Sequence, residues 1–199
     1  MNKEFEIRTA TQRDAQALLE IYAPYVKTTA VTFEYRVPSA AEFAGRIVHV
    51  EGKYPYLLAQ AGGEILGYAY AGAFHAREAY DWAVETSIYV NKNKKRMGIG
   101  SRLYGALEAA LKEQGVLNLN ACIAFPQRED AYLTKDSAVF HEKMGFRFVG
   151  EFHECGYKFD RWYNMIWMEK QIGPHTAHQP PIKDFAEIRA QIRQKYGIL

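Results

Sequence analysis

Two cysteines are too few to staple a fold of 199 residues. Cys122 sits in an apolar run and Cys155 in an expected turn, without metal-ligand spacing, so both read as reduced thiols. No apolar stretch approaches the roughly 20 residues of a membrane span. The start, MNKEFEIRTA, lacks the apolar core of a secretory leader. Neither sign of charge is in excess: 25 Lys and Arg stand against 23 Asp and Glu, a net +2. Binding to nucleic acid or an anionic membrane calls for a stronger imbalance. Repeats and low-complexity tracts are also missing. The expectation is a cytoplasmic globular protein of one domain, with neither nucleic acid nor membrane as partner.

What is present is apolar periodicity. Phe5, Ile7 and Thr9 alternate with charged residues, as in a strand. Thr11 and Asp14 open a helix carrying Leu18, Ile21, Tyr22 and Tyr25, which Pro24 should bend or end. Ser39 and Glu42 form a capping box before Phe43, Ile47 and Val50. PYLLAQ, a GGE turn and ILGYAYAGAF make a hairpin, and VETSIYV a further strand. SRLYGALEAALKEQG is a helix with Leu103, Ala106, Leu107, Ala110 and Leu111 on one stripe, ended by Gly115. A strand (VLNLNACIAF), a helix over 135–144 and two closing strands (FRFVGEF, WYNMIWMEK) complete the order β-α-α-β-β-β-α-β-α-β-β. The class is α/β (α+β): a mixed, mostly antiparallel central sheet with helices on both faces. After Gly173, PHTAHQPP reads as a linker and DFAEIRAQIRQKYGIL as an amphipathic helix that packs on the core or on a second subunit. His175 and His178 lack a third metal ligand nearby, so no metal is expected.

One join carries chemistry. VETSIYVNKNKKRMGIGSRL runs from a strand through a basic turn into a helix, with Gly98 and Gly100 at the junction. A helix N-terminus has unpaired N–H groups and partial positive charge. Glycines let backbone approach a phosphate, and Lys94, Lys95 and Arg96 add charge. It is neither a Walker A loop nor GxGxxG, since Leu103 stands at the third glycine. On these residues alone, a solvated basic loop remains open beside a phosphate site.

The segment KRMGIGSRL resembles the pyrophosphate-binding motif [RQ]xxGx[GA] of the GNAT acetyltransferases, with Lys95 at the Arg/Gln position. SAVFHEKMGF is similar to that family's late helix and following strand. YAGAFHAREAYDWAVETSIYV resembles the central strands of its phosphinothricin and methionine sulfoximine/sulfone N-acetyltransferases. The resemblance covers about residues 5–170. It implies an acetyltransferase domain over 1–172, with 173–199 as an appended linker and helix. It implies acetyl-CoA as co-substrate, held by the backbone of Ile88, Tyr89 and Val90 and by the turn Lys95, Arg96, Met97, Gly98, Ile99, Gly100 and Ser101. Glu85 and His141 occupy the catalytic positions, and Phe33, His75, Arg77 and Tyr80 the acceptor pocket. A homodimer is implied as well. Two departures weigh against phosphinothricin itself as the acceptor: His75 replaces the Lys of the herbicide-detoxifying enzymes, and Thr134 or Asp136 stands where an Asn usually precedes the late helix.

Acetyl transfer to an amine needs a neutral nucleophile, a donor for the developing oxyanion and a leaving thiolate. Glu85 shares a strand face with Ser87 and Tyr89 and can take the ammonium proton, directly or through water. His141 can act as acid, base or substrate clamp near neutrality. Arg77 can hold a carboxylate or phosphinate through two hydrogen bonds. The leading expectation is an N-acetyltransferase acting by direct attack on a small, amino-acid-like amine. The alternatives are a non-catalytic acyl-CoA sensor whose output is the C-terminal helix, and an acetyltransferase of protein or peptide amines.

Overall fold

The computed structural model describes residues 5–94 and 97–199; Lys95 and Arg96, both assigned to the phosphate turn, lie outside the described residues. The chain runs β1 (Glu6–Thr9), α1 (Ala15–Thr28), α2 (Ala40–Val50), β2 (Tyr56–Ala61), β3 (Glu64–Ala73) and β4 (Ala83–Val90). It continues through α3 (Ile99–Gln114), β5 (Asn118–Phe125), α4 (Asp136–Lys143), β6 (Arg147–Lys158), β7 (Arg161–Gln171) and α5 (Phe185–Tyr196). The seven strands make one sheet in the order β1-β2-β3-β4-β5-β7-β6. Every pairing is antiparallel except β4 with β5.

Alternation divides the sheet's two faces. On one, Tyr89 of β4 meets Tyr22 and Tyr25 of α1 at ring distances of 4.9 and 5.3 Å, and Tyr68 of β3 meets Phe43 of α2. On the other, α3 buries Leu103, Tyr104, Leu107 and Leu111. The local signals operate as read. The Ser39 hydroxyl accepts from the Glu42 N–H, and the Glu42 carboxylate accepts from the Ser39 N–H at 2.6 Å. Gly62 and Gly63 make the β2–β3 turn with φ of +57° and +81°, a region open to glycine at little cost.

Two expectations need correction. Helix α1 continues past Pro24 to Thr28. Its last turn is tied to β4 by the Tyr25 hydroxyl, which donates to the Val90 carbonyl at 2.6 Å, and within the helix by the Thr28 hydroxyl, which donates to the Pro24 carbonyl at 2.7 Å. Cys155 lies not in a turn but inside β6, which extends well beyond FRFVGEF. Its register on β7 jumps between Phe152 and Gly156, and Glu154 there adopts φ +47°. Such a bulge breaks the alternation by which a strand is recognised.

The 173–199 segment returns onto the core. Phe185, Ile188, Ile192 and Ile198 are buried in the main cluster. The Trp82 indole N–H donates to the Pro180 carbonyl, and the buried Gln114 amide to the Lys53 and Lys183 carbonyls. Leu199 pairs with the outer edge of β1, its N–H to Ile7 O and its carbonyl accepting from Thr9 N. The His175 ring is engaged by the Asn118 side chain at 2.8 Å.

Candidate active site

The β4–β5 ladder is short. Ala83, Val84 and Glu85 pair with Asn118, Leu119 and Asn120, after which the two strands part. β4 runs on to Val90 beside β3, and β5 to Phe125 beside β7. The wedge between them is a narrow cavity of about 60 Å³. Thr86, Ser87, Ile88 and Tyr89 line one side, Cys122 and Ile123 the other, and Ser137 and His141 of α4 close it. Backbone N–H and C=O groups of β4 along this free edge are thus open to an extended ligand.

At the wedge's far end the chain enters α3 through Gly98, whose φ of +73° places it in the left-handed region. No side chain caps this helix start. The N–H groups of Ile99, Gly100 and Ser101 therefore face outward from a helix N-terminus, which suits an anion. Gly100 also lets the helix approach α4: a Cβ there would stand 3.3 Å from the Phe140 ring. The side chains of Ile99 and Tyr89 are spent in packing, so each can offer a ligand only its backbone. Met97 is exposed. The Val90 carbonyl already accepts from Tyr25, which leaves less of its hydrogen-bonding capacity for a ligand. Among the described residues, an uncapped helix start and a strand edge left free beyond Glu85 together form a cradle suited to an extended, anionic ligand.

His141 closes the wedge on one face of the sheet, while Glu85, in the last pair of the β4–β5 ladder, stands where the strands part and faces the other side. Glu85 alternates with Ser87 and Tyr89, on the α1 side. It is half-buried, and its carboxylate makes no hydrogen bond with the described residues. Burial raises its pKa, and the neighbouring His75 ring partly offsets the rise. That is the condition of a carboxylate brought closer to neutrality and free to accept a proton. The turn after β3 brings aromatic rings near it. Phe74 contacts His75, Tyr80 and Trp167, and His75 packs edge-on to Tyr80 at 4.9 Å. Arg77 is exposed on the same turn and makes no ion pair with the described residues.

His141 is buried in a ring of Tyr104, Phe140 and Phe146, all edge-on. Its Nδ1 lies 2.7 Å from the Ser137 carbonyl. A carbonyl only accepts, so Nδ1 carries the proton and, in the neutral ring, Nε2 holds a lone pair. Burial lowers the pKa, outweighing the opposing effect of that hydrogen bond, and favours the neutral form. Tyr104 is itself fixed by a short hydrogen bond to Thr86, whose hydroxyl also lies 3.1 Å from the Asn120 carbonyl. Ser137 and Tyr104 were not among the expected site residues. The four-residue spacing of Ser137 and His141 on one helix face was the available signal.

Cys122 opens to the wedge, yet the walls around its sulfur push the thiol pKa to about 11, aided by the Glu85 charge and by Cys155. It stays a thiol at neutral pH and is a poor nucleophile. Phe33 does not line the wedge itself but clusters with Ala124 and Leu133, which do, and with Tyr163. A larger groove of about 830 Å³ lies away from this chemistry, between β1, α3 and residues 196–198. Its charged groups are already engaged: Arg102 donates to the Phe5 carbonyl and Glu6 accepts from Gln60.

Residues 7–167 match the acetyltransferase (GNAT) domain. The phosphinothricin N-acetyltransferase of Streptomyces viridochromogenes is 34% identical over 167 residues, 84% of this chain and 87% of that protein. The L-methionine sulfoximine/L-methionine sulfone acetyltransferase of Pseudomonas aeruginosa is 32% identical over 170 residues, 84% of this chain and 95% of its own length. A phosphinothricin acetyltransferase of the GNAT superfamily from Sinorhizobium meliloti, crystallised with acetyl-CoA, superposes with a TM-score of 0.79 at 32% identity. That likeness covers 88% of this chain and 92% of the other.

Proposed function

The chain belongs to the GNAT acetyltransferase family, and from that premise we propose that it N-acetylates a small amino-acid-like amine by direct attack on acetyl-CoA. The observation that carries the reading is the wedge, with the Glu85 carboxylate, which makes no hydrogen bond with the described residues, where the strands part, and a desolvated imidazole in its lining. Acetyl-CoA, when bound, supplies an acyl group activated as a thioester. The chain's residues do the rest. Glu85 takes the ammonium proton, so that the amine is a neutral nucleophile. N–H groups on the free edge of β4 face the developing negative charge on oxygen. The neutral His141, in the wedge lining with its Nδ1 engaged by Ser137, keeps the Nε2 lone pair to accept a hydrogen bond from the acceptor. The α3 start, with Lys95 and Arg96 before it, receives the phosphates, and Arg77 receives the acceptor's acid group. The rings of Phe74, His75 and Tyr80 suit an ammonium above Glu85. Because Cys122 is held protonated, transfer in a ternary complex is favoured over an acyl-enzyme.

Within this reading, residues 1–172 form the catalytic unit in the cytoplasm, and 173–199 a strap across it. We place a second copy of the chain against β6. This edge strand exposes Phe148, Val149, Phe152 and Tyr157, with Trp162 beside them, and Phe152 and Trp162 are 57% and 61% exposed. Light scattering at micromolar concentration should report twice the mass of one chain, and a monomer would refute this pairing.

The functional test is release of free thiol from acetyl-CoA with a panel of amino acids and analogues, including methionine sulfone, methionine sulfoximine and phosphinothricin. Turnover is expected with at least one amino-acid-like amine, and weaker turnover with phosphinothricin than with the sulfoximine. Binding of acetyl-CoA without turnover of any amine would favour the sensor. Peptide acetylation alone would favour the protein-directed reading.

A further inference from the structure

Phe33 reaches its place beside Ala124 and Leu133, two residues of the wedge lining, only because position 156 has no side chain. Gly156 is buried on β6, directly opposite Tyr163 of β7, and Phe33 stacks on the Tyr163 ring at 6.5 Å. A Cβ on Gly156 would overlap Cε2 and Cζ of Phe33 and stand 2.8 Å from its Cδ2. Real Cβ atoms essentially never come within 3.0 Å of a neighbour. The backbone at 156 has no positive φ, so the ring and not the chain is what demands glycine.

The surrounding structure fixes both partners. The β6 bulge that presents Gly156 is pinned by the buried Asn164, whose Oδ1 accepts from Glu154 N at 2.9 Å and whose Nδ2 donates to Glu151. The loop carrying Phe33 is tied to the same strand on either side of the ring. The buried Lys158 ammonium donates to Thr32 O at 2.7 Å, and the Tyr35 hydroxyl donates to the Tyr157 carbonyl. With its flanks tethered, a displaced ring would turn toward Ala124 and Leu133, which line the wedge.

We propose that Gly156 is a specificity-determining residue that sets, through Phe33, how long an acceptor side chain the site admits. The inference rests on the acetyltransferase reading above. Its test uses Gly156→Ala with amino-acid acceptors graded from alanine to methionine sulfone. The expected result is a kcat/KM that falls about ten-fold or more further for the longest acceptor than for the shortest, with the KM for acetyl-CoA within about two-fold of wild type. Phe33→Leu, added to that variant, should restore the longest acceptor. An equal loss across the series, or no rescue by Phe33→Leu, would overturn the proposal. If Gly156→Ala does not fold, Phe33→Leu alone should shift selectivity toward longer acceptors, and an unchanged ratio counts against it. Failure of the wild-type enzyme to acetylate any of the series, while binding acetyl-CoA, would instead remove the amino-acid-acceptor reading on which the inference rests.

Discussion

Glu85→Gln should lower kcat/KM for amine acetylation by roughly 10²–10⁴-fold, the usual contribution of a positioned general base. The amide keeps the shape of the side chain and cannot take the ammonium proton. The wild-type profile should show activity rising with pH as Glu85 ionises, at a pKa raised by burial and moderated by His75. That limb should vanish in the variant. An unchanged kcat/KM between pH 6 and 9 would remove Glu85 from the mechanism. Stability should move the other way. A carboxyl whose pKa is raised on folding stabilises the native state below its unfolded pKa, and that stabilisation is lost as pH rises through the folded pKa. At pH 8 the ionised Glu85 is therefore a cost, and Glu85→Gln should melt at the same temperature as wild type or higher. The difference should close toward pH 4. A catalytic group that costs stability is the pattern expected of a site built for chemistry.

Ile192→Ala should cost about 2–5 kcal/mol of folding stability, the range for truncating a buried isoleucine, although the residue lies beyond the match to the family domain. Against a typical total of about 5–15 kcal/mol, that is a large fraction. The denaturant midpoint should fall with little change in slope. At low temperature, where the variant remains folded, kcat should match wild type, because α5 touches α3 away from the wedge. A loss below about 0.5 kcal/mol, the ordinary range for surface substitutions, would make 173–199 a passive appendage instead of a strap.

Much of the molecule could be read from local chemistry. The capping box of Ser39 and Glu42, the Gly62–Gly63 turn and the left-handed Gly115 at the end of α3 each declare themselves in a few residues. Alternation assigns Glu85 a strand face before any partner is known, and its proposed role comes from the family resemblance and not from that pattern. The wedge itself was not legible. It exists because the parallel ladder stops after three pairs, and the point at which two strands part depends on contacts far apart in sequence. The far half of β6 was hidden for another reason, since the bulge at 152–156 interrupts the period of two that reveals a strand. Gly156 illustrates the limit most clearly. Its need for glycine comes from the Phe33 ring, 123 positions earlier, and no local rule points there.

The contact of Leu199 with β1 has a bearing on how assembly ends. A sheet with two free margins can recruit copies from both sides and grow into a filament. Among the described residues, Leu199 bonds to the β1 margin at Ile7 and Thr9, while the β6 margin carries no further strand. In the proposed pairing, two molecules meeting at β6 about a two-fold axis would cover both of those margins, and growth would stop at a closed pair. Removing the last few residues would reopen the first margin and turn a terminating association into a propagating one.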